Sequence, residues 1–112
     1  MRRRCLLGLA AAVALGTLAS AEEAKDVERG KALFSEQHCR TCHSVGGVGN
    51  AKGVLDGMGS KLSAADIKEW LTNPREQAAK AKATRTPPMI SFKHLPPEDL
   101  DALVAYVGSL KK

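Results

Sequence analysis

Cys39-Arg40-Thr41-Cys42-His43 is the stretch on which the reading of this chain turns. Two thiols three residues apart can project from the same side of one helical turn. An imidazole follows the second thiol directly. Three familiar uses of paired cysteines fit poorly. A thioredoxin-like redox pair belongs in an alternating strand and helix pattern, and no segment here reads as a strand. A zinc site needs four ligands, usually from two such pairs; here one pair stands with His38, His43 and His94. A disulfide across so small a loop would restrain little of the unfolded chain.

Working outward, the N-terminus carries an export signal. Arg2, Arg3 and Arg4 form a basic start, Leu6 to Leu18 is apolar and uncharged, and Ala19-Ser20-Ala21 has the small-x-small form of a cleavage site. We expect residues 1–21 to be a signal peptide cut after Ala21, with one domain over 22–112. The apolar stretch is shorter than the roughly 20 residues of a membrane span. The arginines are compatible with twin-arginine export, though basic residues open most signal peptides. Cys5 precedes the apolar stretch, where it is badly placed for lipid attachment, and leaves with the peptide.

Removal of that segment leaves 91 residues with 14 basic and 12 acidic side chains, so the net charge falls from +5 to +2. No basic stripe interleaved with aromatics survives, which removes the support for nucleic-acid binding. A chain this short struggles to build a sufficient core. Its aromatics are Phe34, Trp70, Phe92 and Tyr106 alone. Small exported domains often compensate with disulfides, but only Cys39 and Cys42 remain after the cut. A large bound cofactor is the better filler.

C-x-x-C-H is the attachment pattern of c-type haem. Both thiols can add as thioethers to the two vinyl groups on one edge of the ring. His43 is then held beneath the iron as a nitrogen ligand. The expected cofactor is one haem c per chain, covalent through Cys39 and Cys42.

The rest of the chain reads as helices joined by long loops. A first helix is expected over Asp26 to about Gln37, with Val27, Gly30, Leu33 and Phe34 on one face. Glycines from Gly46 to Gly59 make a loop that is long for a small domain, as functional or packed loops are. Ser63 reads as an N-cap with Asp66 three residues on. Ile67, Trp70 and Leu71 form that helix's apolar face, and Asn73-Pro74 stops it. Glu76 to Ala83 makes a further helical turn or two. The last helix starts near Pro97 and buries Leu100, Leu103, Val104, Val107 and Leu110. The expected class is all-α, with three main helices.

The second side of the iron has four candidates: Met58, Met89, His38 and His94. Met89 follows Pro87-Pro88, which stiffen the chain and aim a ligand from an interhelical loop. A buried methionine is otherwise core filler, which is the reading we give Met58 between its two glycines. His94, five residues past Met89, is the main competitor, while His38 is too close to the attachment turn to reach the far face. With the cofactor taken away, Cys39, Cys42, His43, Leu55, Trp70 and Met89 should bound an apolar hollow.

From about Val27 to Leu110 the chain resembles the class I cytochrome c family. The haem motif carries most of this. Gly30 with Phe34, and Leu103 with Tyr106, resemble the family's crossing of terminal helices, and Pro88-Met89 resembles its distal methionine loop. Two positions depart: Gly53 stands where a Pro-x-Leu often supplies the carbonyl for the proximal histidine, and Ile90 stands where Pro often follows the methionine. The resemblance implies a small cytochrome c-like fold and a soluble one-electron carrier, not an enzyme. His43 and Met89 would be the axial ligands, with no small-molecule substrate. Partners would be redox proteins or membrane respiratory complexes facing a bacterial periplasm, with Lys52, Lys61 and Lys93 as candidates to steer acidic ones. The competing expectation is a haem enzyme or gas sensor with an open sixth site.

Overall fold

The computed structural model describes residues 15–112. The apolar run expected to be the signal peptide lies largely outside the described residues. Five α-helices appear in chain order: α1 (Leu15–Glu36), α2 (Met58–Lys61), α3 (Ala64–Thr72), α4 (Pro74–Lys80) and α5 (Pro97–Gly108). α1, α3 and α5 are the three main helices, and the all-α class holds. Two short strands, β1 (Ser44–Val45) and β2 (Val48–Gly49), pair antiparallel with Val45 opposite Val48. Two-residue strands carry no readable alternation, so the sequence had shown only a loop there.

The first helix corrects the expected start at Asp26. It is already formed at Leu15, runs through Ala21-Glu22 and ends at Glu36. Leu, Ala, Glu and Lys dominate this stretch and are strong helix formers, so nothing local interrupts the helix. Among the described residues no helix is long and apolar enough to cross a membrane.

Helices α1 and α5 cross at Gly30. A Cβ on Gly30 would meet the backbone carbonyl of Ala102 and come within 2.6 Å of the Tyr106 Cβ. The glycine thus lets the helix backbones approach closely. Beside the crossing, Phe34 and Tyr106 pack with ring centroids 5.5 Å apart and planes tilted by 57°, a favourable geometry for aromatic pairs. Leu33, Phe34, Ala102, Leu103 and Tyr106 are all buried here. Arg29 spans the exposed edge, with Nε 3.6 Å from Asp99 and Nη1 3.5 Å from Glu36. Half-exposed pairs of this kind add little; the apolar crossing holds the helices.

Helix α3 packs on α5 through Ile67 and Leu71. It begins with a complete capping box, in which Ser63 Oγ accepts from the Asp66 N–H and the Asp66 carboxylate accepts from the Ser63 N–H. That arrangement is worth about 1 kcal/mol. Pro74 then both stops α3 and supplies the first residue of α4, since it lacks an N–H and its φ suits a helix start.

Candidate haem site

The attachment turn grows directly from the end of α1. His38 adopts a left-handed backbone (φ 57°) and Cys39–Thr41 form one 3₁₀ turn. The Cys42 and His43 N–H groups both donate to the Cys39 carbonyl, at 3.1 and 2.9 Å. Asn50 clamps the turn from the following loop. Its N–H donates to the Arg40 and His43 carbonyls, and its side-chain amide donates to the Thr41 carbonyl at 3.1 Å. Arg40 points the other way, its guanidinium 5.3 Å from the Phe34 ring centre and bonded to Ser35 Oγ at 2.7 Å.

The thiols of Cys39 and Cys42 are free and half-buried. Burial pushes the Cys39 thiol up to about 11, and the neighbouring Cys42 adds to the rise. A neutral thiol is a poor nucleophile toward disulfides and a poor thiolate ligand, so Cys39 is ill suited to thiol-redox work. Among the described residues no three His, Cys, Asp or Glu side chains come together as a metal cluster.

His43 is oriented by one hydrogen bond. Its Nδ1 lies 3.0 Å from the Gly53 carbonyl oxygen. With the proton on Nδ1, Nε2 presents its lone pair. Burial lowers the His43 pKa, against the raising effect of this bond, and Arg85 lowers it further, so the neutral, ligating imidazole is favoured. The contact expected from a Pro-x-Leu is thus made by glycine, and the structure explains the glycine. A Cβ at position 53 would meet the Cys42 carbonyl and an Arg85 guanidinium nitrogen, and would lie 2.8 Å from His43 Nδ1. Gly53→Ala should therefore destabilise the protein by about 1–3 kcal/mol, as overpacking does, in a chemical-denaturation measurement; an unchanged midpoint would show that the loop yields freely.

The distal loop is tied to α3. The Phe92 N–H donates to the Leu71 carbonyl at 2.7 Å, and Ser91 Oγ donates to the Thr72 carbonyl at 3.0 Å. Phe92 is buried as an anchor and Met89 is half-buried. Ile90 is 67% exposed, so the departure from Pro at this position falls on the solvent side.

These segments enclose an apolar hollow of ≈ 310 Å³. All six residues expected to bound it do so: Cys39, Cys42, His43, Leu55, Trp70 and Met89. Met58 lines it as well, as do Pro87 and Pro88. His38 and His94 are exposed and do not line it; the His94 ring instead lies 6.2 Å from that of Phe92. Lys52, Lys61 and Lys93 are exposed and also off its wall. Sequence reasoning missed Asn50 and Arg85. A lone Asn in a glycine loop and a lone Arg before two prolines carry no distinguishing pattern.

Two thiols, an oriented imidazole and a thioether around an apolar hollow suit a covalently held haem. Residues 27–111 match the cytochrome c family model. The chain belongs to the cytochrome c family, whose domain implies covalent haem c and haem-based electron transfer, with Cys39 and Cys42 in the attachment position. Over 107 residues it is 30% identical to cytochrome c oxidase subunit 2 of Alkalihalophilus pseudofirmus (strain ATCC BAA-2126 / JCM 17055 / OF4). That match takes in 86% of this chain but spans only 30% of the relative. No solved structure matches it at the same level.

Proposed function

We propose that this protein is a soluble one-electron carrier with one haem c, bound through Cys39 and Cys42 and ligated by His43 and Met89. One observation carries the reading: four side chains from two segments far apart in sequence line a single apolar hollow. The bound haem would supply an iron that gains and loses one electron.

The chain's own residues do the rest. Cys39 and Cys42 retain the group. The Gly53 carbonyl fixes the tautomer and direction of His43, as outer-shell partners of ligating histidines do. Met89, on a loop pinned by Phe92 and Ser91, closes the second side, and a thioether there raises the potential. Leu55, Trp70, Leu103 and Val107 exclude water. With both sides filled no substrate site remains, which favours transfer between redox proteins over catalysis.

The sequence of residues 1–21 supports export to a bacterial periplasm with cleavage after Ala21. The relative named as a cytochrome c oxidase subunit supports a membrane respiratory complex as one partner. Lys93 borders a surface groove beside Met89, with Arg75 and Ile90, and would meet an acidic partner there.

The test is an absorption spectrum of the purified protein, oxidised and then reduced. Sharp c-type bands on reduction, with the weak long-wavelength sulfur-to-iron band when oxidised, are expected. Met89→Ala should keep the haem, abolish the weak band completely and open the ferrous protein to carbon monoxide; Met58→Ala should leave the band in place. Loss of the band in the Met58 variant alone would move the ligand to Met58. Rapid carbon monoxide binding by the unaltered protein would favour an enzyme or gas sensor instead.

A further inference from the structure

Asn50 makes hydrogen bonds to five other residues. Its backbone N–H donates to the Arg40 and His43 carbonyls at 3.1 and 3.0 Å, and its carbonyl accepts from the Gly53 N–H at 3.1 Å. Its side chain works in both directions. The amide nitrogen donates to the Thr41 carbonyl at 3.1 Å, and the amide oxygen accepts from the Lys52 N–H at 3.0 Å. A carbonyl only accepts and a backbone N–H only donates, so these partners fix which way the carboxamide faces. Capping the 3₁₀ turn Ala51–Gly53 needs the oxygen alone, and an aspartate or serine would serve as well. The bond to Thr41 exceeds that need.

What the donor arm does follows from where the two turns lead. The turn Cys39–Thr41 runs into His43. The turn Ala51–Gly53 ends at the carbonyl whose oxygen lies 3.0 Å from His43 Nδ1. The ring and the acceptor that orients it are thus ten residues apart, with Gly46, Gly47 and Gly49 between them. Glycine leaves such a stretch its backbone freedom, so the stretch does not by itself fix the separation. Asn50 spans it where the segments meet closely: a Cβ on residue 49 would already overlap the His43 carbonyl oxygen. We propose that Asn50 is a positioning residue for the proximal ligand, its carboxamide bridging the attachment turn to the turn that carries the Gly53 carbonyl and so setting the His43–Gly53 bond. The inference rests on the haem reading above and adds a residue to it.

The consequence is read at His43. A hydrogen bond from its second nitrogen makes a ligating imidazole more basic, and a more basic ligand favours ferric iron. Slackening that bond should expose the ring proton to water and shift the balance toward ferrous iron. The Leu55 N–H also bonds the Ser44 carbonyl, at 2.9 Å, so the loop stays attached when the carboxamide is lost. Two variants separate the arms: Asn50→Ala removes both, and Asn50→Asp keeps the capping oxygen but loses the donor. The experiment uses the purified, reduced holoproteins, after mass spectrometry has established covalent haem in each. Nuclear magnetic resonance follows exchange of the His43 ring N–H, with the amides of Ala102 to Tyr106 as an internal reference, and the midpoint potential is measured alongside. Both variants should speed ring-proton exchange about tenfold while the reference amides stay within about twofold of the parent, the mark of a local opening. Both should raise the ferrous-to-ferric ratio about twofold to fivefold, which at about 59 mV per tenfold for one electron is a rise of ~20–40 mV. Should Asn50→Ala take up no haem, the same shifts in Asn50→Asp alone uphold the proposal. Asn50→Asp behaving like the parent would reduce Asn50 to a cap and overturn it. So would unchanged exchange and potential in both variants, reference amides that speed up in step with the ring proton, or failure of both to mature. Absence of covalent haem from the unaltered protein would instead overturn the haem reading itself.

Discussion

Cys39→Ala/Cys42→Ala should yield a colourless protein that no longer unfolds cooperatively. The three main helices of the core meet around the hollow, and Phe34 of α1, Ile67 and Leu71 of α3, and Leu103 of α5 all line it. An apolar wall facing no atoms forfeits its dispersion contacts. At ~24 cal/mol per Å³ of residual cavity, a hollow of ≈ 310 Å³ that is partly open to solvent is worth at most about 7 kcal/mol. Small domains are stable by only about 5–15 kcal/mol, so losing the occupant removes most or all of the margin. Helix α1 and the α5 crossing would retain helical content, and the loops from Val45 to Leu55 and from Lys82 to Leu95 would lose their packing surface. Circular dichroism with thermal melting, alongside an absorption spectrum, checks this. A colourless variant that melts cooperatively within a few degrees of the parent would show that the fold stands without its cofactor. Either single variant keeps one thioether and should lose far less.

The same balance accounts for what could be read from the sequence. The attachment turn was legible because its chemistry is local: thiols three apart and an adjoining imidazole need no tertiary knowledge. The crossing of α1 and α5 was legible through the family resemblance, in which Gly30 with Phe34 and Leu103 with Tyr106 stand where the terminal helices cross. The capping box at Ser63 and Asp66 is likewise a short-range pattern. What could not be read depends on contacts between distant segments. Gly53 appeared as a departure from a stiff proline; only the approach of the Cys42 carbonyl and Arg85 shows that the position has no room for a Cβ. Arg85 reaches its place from a loop more than thirty residues away from Gly53, and no spacing rule predicts that. The start of α1 was misjudged for a different reason. The apolar face that marks the helix begins only at Val27, whereas the helix, rich in strong helix formers, continues unbroken upstream of it to Leu15.

Gly30→Ala should destabilise the protein, although the same exchange at an ordinary helix position is stabilising. Glycine costs about 1 kcal/mol relative to alanine inside a helix, so on α1 alone the substitution gains that much. Against it stands the packing. The new Cβ would overlap the Ala102 carbonyl and lie 2.6 Å from the Tyr106 Cβ. Neither is the far end of a flexible side chain. The carbonyl is part of α5, and Tyr106 is fixed against Phe34. Relief requires the two helices to separate, which loosens Leu33, Phe34, Leu103 and Tyr106 together. Overpacking that shifts backbone costs roughly 1–3 kcal/mol and occasionally more, so Ala comes out at a net loss of up to about 2 kcal/mol. Val adds two further carbons at the same point and lacks Ala's helix propensity; it should cost about 3 kcal/mol or more. For a domain of this size each kcal/mol moves the melting temperature by about 4–8 °C. Gly30→Val should therefore lower it by ~12–24 °C or prevent maturation, while Lys31→Ala on the exposed side of the same helix should stay within about 0.5 kcal/mol of the parent. Thermal unfolding of the three variants decides the matter. A Gly30→Ala protein more stable than its parent would mean that helix propensity outweighs the contact, and that α1 and α5 do not depend on a bare backbone where they cross.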